Sequence, residues 1–124
     1  MGLSTKDYIA IALTALTGII HLFIGLVTTI SEFNVLNLLL LLNGIGYLSL
    51  LTGIYFPNLT GGLTEGKDVL LKETLIGFTI ITIIAYFVTW GTEGLQNIVG
   101  MATKIIELAL VLVLLTSLGS SPSE

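Results

Sequence analysis

Cysteine and arginine are absent from this 124-residue chain, and charged residues of every kind are scarce. Without cysteine, the chain forms no disulfide, iron–sulfur cluster or thiolate zinc site. Charged residues make up 10% of the chain, whereas a soluble domain carries about 25%. So little charge excludes a water-soluble enzyme, a disordered chain and a nucleic-acid-binding protein.

Long apolar runs fill the chain instead, at residues 8–30, 35–56, 74–92 and 95–118. A helix needs about 20 mostly apolar residues to cross the hydrocarbon layer of a membrane, and each run is about that long. We therefore expect an all-α integral membrane protein, an antiparallel four-helix bundle with four transmembrane helices. The whole chain, 1–124, would form a single transmembrane domain, and the lipid bilayer would be its first partner.

The lysines indicate the orientation of this bundle. Lys6, Lys67 and Lys72 all fall on one side of a four-span layout, in the N-terminal segment and in the loop 57–73. Because cytoplasmic loops are enriched in lysine and arginine, this distribution predicts a multi-pass protein of the cell membrane with both termini and the loop 57–73 in the cytoplasm.

The ends of the third run carry two further signals. Asp68 is expected to cap a helix that continues into the third span, because aspartate is a favoured N-cap residue. Residues 92–94 are expected to form a very tight turn between the third and fourth spans.

Polar residues at one depth are the most informative feature of the spans. His21, Asn43, Thr82 and Lys104 each lie eight or nine residues from the same side of the bundle, or roughly 12–14 Å deep. Glu107 lies one turn deeper. A lysine or acidic residue at the centre of a span costs about 2.5–3.5 kcal/mol unless it is partnered. We therefore predict an intramembrane polar cluster of His21, Asn43, Lys104 and Glu107.

Helical spacing also predicts which residues surround this cluster. Thr82 and two tyrosines, Tyr47 and Tyr86, are expected to lie within reach of the cluster. Small residues allow helices to approach closely, which predicts helix-packing positions at Gly18, Gly25, Gly46, Ser49 and Gly53.

The cluster admits several roles. It can lock the register of the helices, relay protons or ions, or line a small-ligand or lipid pocket, and the bundle can also dock against another membrane subunit. We expect a non-enzymatic accessory or scaffold subunit that packs laterally in a membrane complex or homo-oligomer. The alternative is a minimal transporter or a proton- or ion-conducting unit that uses the cluster. No catalytic residue, metal site or cofactor is predicted. One histidine without cysteine makes no normal metal site, and Ser49 lies on a different stripe from His21 and Glu107, which argues against a catalytic triad.

Four short segments carry a resemblance to a known family: Thr17–Leu22, Leu42–Leu48, Ile83–Val88 and Thr103–Glu107. Together they resemble a family of small archaeal four-span membrane proteins with no assigned function. The resemblance implies the four-helix layout and makes His21 and Lys104 family features, but it implies no activity. Small multidrug exporters also have four spans, yet they carry a glutamate in the first helix, where this chain has His21.

Overall fold

Four α-helices make up most of the structure, a computed structural model that describes residues 3–119 of the chain. They are α1 (Thr5–Ser31), α2 (Val35–Tyr55), α3 (Asp68–Trp90) and α4 (Ile98–Gly119), with short 3-10 helices at Pro57–Thr60 and Gly91–Gln96. No strand occurs in this range, so the prediction of an all-α chain with four helices is confirmed. Four helical segments have the length and apolar composition needed to cross a membrane. The predicted domain spans 1–124, of which 1–2 and 120–124 lie outside the described residues.

The first two helices begin where the sequence supplies a side-chain cap. The hydroxyl of Ser4 accepts from the backbone N–H of Asp7 (3.2 Å), and the Asp7 carboxylate accepts from the N–H of Ser4 (2.9 Å). Asn34 precedes α2, and its side-chain oxygen accepts from the N–H of Asn37 (2.9 Å). These caps satisfy N–H groups that have no partner in the first helical turn, and so they fix where α1 and α2 begin.

The starts of α3 and α4 differ from the sequence prediction only in detail. α3 begins at Asp68 and continues into the third apolar run, as predicted, with the charged residues before residue 74 inside the helix. Lys67, whose side chain has no acceptor, occupies the capping position, so the predicted cap at Asp68 is wrong. The tight turn predicted at 92–94 is replaced by a 3-10 helix over 91–96, which moves the start of α4 from 95 to Ile98.

The helices form a ring in chain order, with α1 and α3 each packed against both α2 and α4. At one end, Lys72 of α3 lies 3.9 Å from Asp7 at the start of α1 and donates to Ser117 near the end of α4 (2.9 Å). At the other end, the side-chain amide of Asn37 in α2 donates to the carbonyl of Thr28 in α1 (3.2 Å). Neighbouring helices therefore run antiparallel.

The apolar core lies toward the end that holds Lys6, Lys67 and Lys72, which we name the lysine end; the opposite end, which holds Asn37 and Trp90, is the tryptophan end. The buried hydrophobic residues are Ala10, Tyr47, Leu51, Ile54, Tyr55, Leu75, Ile76, Leu110, Val111 and Leu114. Most of them belong to the halves of the helices nearer the lysine end. Nearer the tryptophan end, many of the buried positions are threonine, glycine or ionisable residues.

Glycines allow α1 and α2 to touch along their backbones. A methyl group on Gly25 would overlap the backbone of Leu41, and one on Gly44 would overlap the backbone of Leu22. Gly18 faces α2 side chains in the same interface. Of the predicted packing residues, Gly18 and Gly25 therefore lie between α1 and α2, and Gly44, which that prediction omitted, lies there too.

The other three predicted packing residues, Gly46, Gly53 and Ser49, have three different surroundings. Gly46 faces the ring of Phe78 in α3, and Gly53 is buried against the loop that follows α2. Ser49 is exposed, so the prediction that it packs between helices of this chain is wrong. The buried face of α2 runs through Tyr47, and Ser49, two residues further on, points about 200° away from it.

Candidate functional site

The centre of the polar site is the carboxylate of Glu107. Lys104 and Glu107 lie one helical turn apart on α4, and Lys104 Nζ donates to Glu107 Oε1 at 2.5 Å. Glu107 is fully buried and Lys104 is 6% exposed. Because each charge lies against its opposite, the pair is neutral as a whole, which removes most of the cost of burying either charge alone.

The second carboxylate oxygen, Oε2, accepts hydrogen bonds from two other helices. Thr17 of α1 donates its hydroxyl to Glu107 Oε2 at 2.9 Å, and Tyr47 of α2 donates to the same oxygen at 3.3 Å. His21 Nε2 lies 3.6 Å from this oxygen. Glu107 therefore links α4 to α1 and α2 through Oε2, while Oε1 is bonded to Lys104 on its own helix.

The orientation of His21 is set from its own helix. Its Nδ1 lies 2.8 Å from the carbonyl oxygen of Thr17, so the Nδ1 proton is donated there. Nε2 then points to Glu107, and the ring lies against the ring of Tyr47, with centroids 5.7 Å apart. At 3.6 Å, Nε2 and Oε2 are too far apart for a hydrogen bond, so His21 is a neighbour of the carboxylate rather than a bonded partner.

Asn43 lies apart from this cluster. Its amide nitrogen donates to Thr82 Oγ1 at 2.9 Å, and that hydroxyl donates in turn to the carbonyl of Phe78 at 2.8 Å. Asn43 Oδ1 is buried and has no hydrogen-bond partner within the described residues. The predicted set is therefore divided, with Asn43 and Thr82 forming a pair of their own.

Tyr86 contributes its ring rather than its hydroxyl. The hydroxyl donates to the carbonyl of Gly94 in the 3-10 helix at 2.8 Å. Lys104 Nζ lies 5.0 Å from the centroid of the ring, a distance at which a cation is attracted to an aromatic face. Tyr86 therefore supports Lys104 from the side opposite α1.

Thr17 is the residue of the cluster that sequence reasoning missed. It precedes His21 by four residues, so both lie on one face of α1, and this spacing is the signal that was available. Threonine is common in apolar helices, where its hydroxyl bonds to the carbonyl four residues earlier; Thr14 does so with Ala10. The sequence does not distinguish this local bond from a bond across the bundle.

A cavity of about 340 Å³ reaches from the tryptophan end to the cluster. Its inner end is formed by His21, Asn43, Thr82 and Lys104, and its outer part by Glu32, Asn34, Leu36, Asn37, Leu39, Leu40, Ala85, Tyr86, Thr89 and Trp90. His21 lies ten residues before the last residue of α1, which places the inner end about 15 Å from the tryptophan end. The volume lies in the range of small-molecule sites, roughly 300–1,000 Å³.

The cavity opens between α2 and α3. Leu36 and Leu39 on α2, and Ala85 and Trp90 on α3, line it and are exposed at the surface. The opening thus faces sideways between the two helices as well as toward the tryptophan end. Toward the lysine end, the apolar core closes the bundle.

No protein-family model, curated protein or solved structure matches the chain. The part of the chain that the structure describes also contains no group of three histidine, aspartate or glutamate side chains placed to hold a metal ion. The chemistry of the site therefore has to be argued from the cluster and the cavity.

The ion pair predicts a characteristic result in a double-mutant cycle. Lys104→Met alone or Glu107→Leu alone leaves one buried charge without its partner, so each should lower the free energy of unfolding by about 3–5 kcal/mol. The double variant removes both charges and should cost much less than the sum of the two. Unfolding of the purified protein in detergent, followed by circular dichroism, measures all three values. Additive losses would contradict the pairing.

Thr17 and Thr14 form a matched pair that tests the bond across the bundle. Thr17→Val removes a donor to a buried carboxylate and should cost about 1.5–3 kcal/mol of unfolding free energy. Thr14→Val has the same change of shape but removes only a bond to its own helix, so it should cost less than about 1 kcal/mol. Equal effects in the same unfolding assay would show that Thr17 does not hold Glu107.

Proposed function

We propose that this chain is a small multi-pass protein of the cell membrane that binds a small molecule in the cavity, without catalysing a reaction on it. The observation that carries the proposal is the cavity itself, which leads from one end of the bundle to Lys104 and His21. A cluster that serves only to lock the helices has no need of such an opening. The proposal assigns no catalytic residue, metal or cofactor.

The outer surface supports the membrane location. Large hydrophobic side chains are exposed along all four helices, as with Phe23, Leu39, Ile81 and Leu108. In water such a surface would drive aggregation, whereas lipid accepts it. The lysine end then faces the cytoplasm by the lysine bias, and the cavity opens toward the outer side of the membrane.

A transporter would use the same cavity and open it to each side of the membrane in turn. An opening on one side, with an apolar seal on the other, is one of the two states between which a transporter alternates. Passage to the lysine end would require Leu75, Leu110 and Leu114 to separate. In that cycle, the cluster of His21, Lys104 and Glu107 is the candidate path for a proton or an ion.

Cysteine labelling tests the cavity directly, because the chain has no native cysteine. Ala85→Cys places a thiol in the cavity, and Ala102→Cys places one at a similar depth on an exposed face of α4 that does not line it. In intact cells, a membrane-impermeant thiol reagent should label Ala85→Cys from outside. Ala102→Cys, surrounded by lipid, should react many times more slowly.

Two results would count against the proposal. Equal resistance of both thiols would mean that water does not enter the cavity. Reaction of Ala85→Cys only after the cells are opened would reverse the orientation and leave the cavity intact. A thiol at Lys67, introduced by Lys67→Cys, is an independent marker and should be protected in intact cells.

An accessory or scaffold role is a second candidate, favoured by the outer face around Ser49. Ser49 lies with Leu22, Ile45 and Thr52 in a shallow depression on the surface of α1 and α2. A hydroxyl facing outward on an apolar helix gains a partner when another helix packs on it. The chain would then act laterally, in a homo-oligomer or a larger membrane complex.

Gentle purification from the native membrane tests this second candidate. A scaffold should elute with stoichiometric partners, or at a multiple of the 13.2 kDa protomer mass. Mass spectrometry of the eluted particle measures both. Ser49→Leu should dissociate it, whereas a protomer that elutes alone would argue against a lateral role and leave ligand binding unaffected.

A further inference from the structure

Asn43 forms part of the inner end of the cavity, and its side-chain oxygen Oδ1 is buried and has no donor among the described residues. The orientation of this amide is fixed by its neighbours. The Thr82 hydroxyl gives its proton to the carbonyl of Phe78, so it can only accept from Asn43, and the amide nitrogen must face it. The amide oxygen of Asn43 then has no donor. An unpaired buried carbonyl costs free energy comparable to a lost hydrogen bond.

A donor lies in the wall of the same cavity. Lys104 lines it, and an ammonium group has three N–H donors, one of which Glu107 Oε1 accepts. The ring of Tyr86 attracts the charge but takes no conventional hydrogen bond. An acceptor that enters the cavity therefore meets Lys104, whereas Asn43 Oδ1, which has almost no accessible surface, meets a donor only when the side chains over it shift.

The charge of the site disfavours an ionic ligand. Lys104 is already neutralised by Glu107, and the acidic residue that lines the cavity, Glu32, lies at its mouth. A carboxylate or an ammonium group at the inner end would add a buried charge with no free counter-charge. A neutral group has no such penalty.

The walls and the opening indicate the rest of the ligand. Leu36, Leu39, Leu40 and Ala85 give the outer part of the cavity apolar sides, and Trp90 lies at its rim. Because the opening lies between α2 and α3, it faces the lipid of the membrane in which we place the chain. An apolar chain can enter by this route while its head moves inward.

We infer that the cavity binds a neutral amphiphile whose head is a hydroxyl group. A hydroxyl can both accept from Lys104 Nζ and, once the side chains over Asn43 shift, donate to Asn43 Oδ1. The apolar body then extends along α2 and α3 toward Trp90. This inference rests on the proposed function, since it requires the cavity to be a ligand site, and it adds the chemical class of the ligand.

Trp90 provides the test, because it is the one tryptophan of the chain and lies at the rim of the cavity. The purified protein in lipid nanodiscs is titrated with terminally brominated octanol, with bromo-octane, and with bromo-octanoate at alkaline pH, where it is an anion. Bromine quenches tryptophan fluorescence on contact. The alcohol should quench saturably, at a half-saturating concentration about tenfold or more below those of the other two, as one additional satisfied polar contact predicts.

Three variants complete the design. Asn43→Leu should remove the preference for the alcohol over the alkane. Ala85→Phe fills the cavity without touching its polar groups, so it should abolish saturable quenching even if Asn43→Leu does not fold. Ala102→Phe makes the same change on a face outside the cavity and should behave as the native protein.

The outcomes separate the two proposals. If no probe quenches saturably, the cavity is not a ligand site, and both the proposed function and this inference fail. If the anion or the alkane binds as tightly as the alcohol, or if Asn43→Leu keeps the preference, the ligand class is wrong while the site stands.

Discussion

The structure depends on one carboxylate that water does not reach. Glu107 is held by Lys104 on its own helix, by Thr17 on α1 and by Tyr47 on α2, so one side chain sets the relative height and rotation of three helices. An apolar interface permits helices to slide past one another, because one leucine contact resembles the next. A buried ion with directed bonds does not, and it therefore selects one register.

Much of this arrangement was available in the sequence. The four apolar runs predicted the four helices, and the spacing of Lys104 and Glu107 predicted their pairing. The errors have one physical origin: counting residues gives a depth along each helix but not the rotation of that helix against its neighbours. Asn43 has the depth of the cluster yet bonds to Thr82, and Ser49 points outward.

The cavity was beyond sequence reasoning for a related reason. It arises from what the packing leaves empty, and no residue type signals an empty space. Gly25 and Gly44 draw α1 and α2 into backbone contact nearer the tryptophan end, while Ala85 contributes only a methyl group from α3. Close contact on one side of α2 and a small side chain facing its other side together leave room beside Lys104 and His21.

Lys72 gives the bundle a mechanical asymmetry. Its ammonium group lies 3.9 Å from Asp7 of α1, bonds to Ser117 of α4 and lies 5.8 Å from the ring centroid of Tyr55 of α2, so a residue of α3 ties all four helices at one end. Among the described residues, no ion pair or side-chain hydrogen bond joins the opposite ends of α2 and α3. The two helices are thus joined at one end only, so the bending stiffness of α2 and α3, rather than a hinged lid, sets the width of the opening between them.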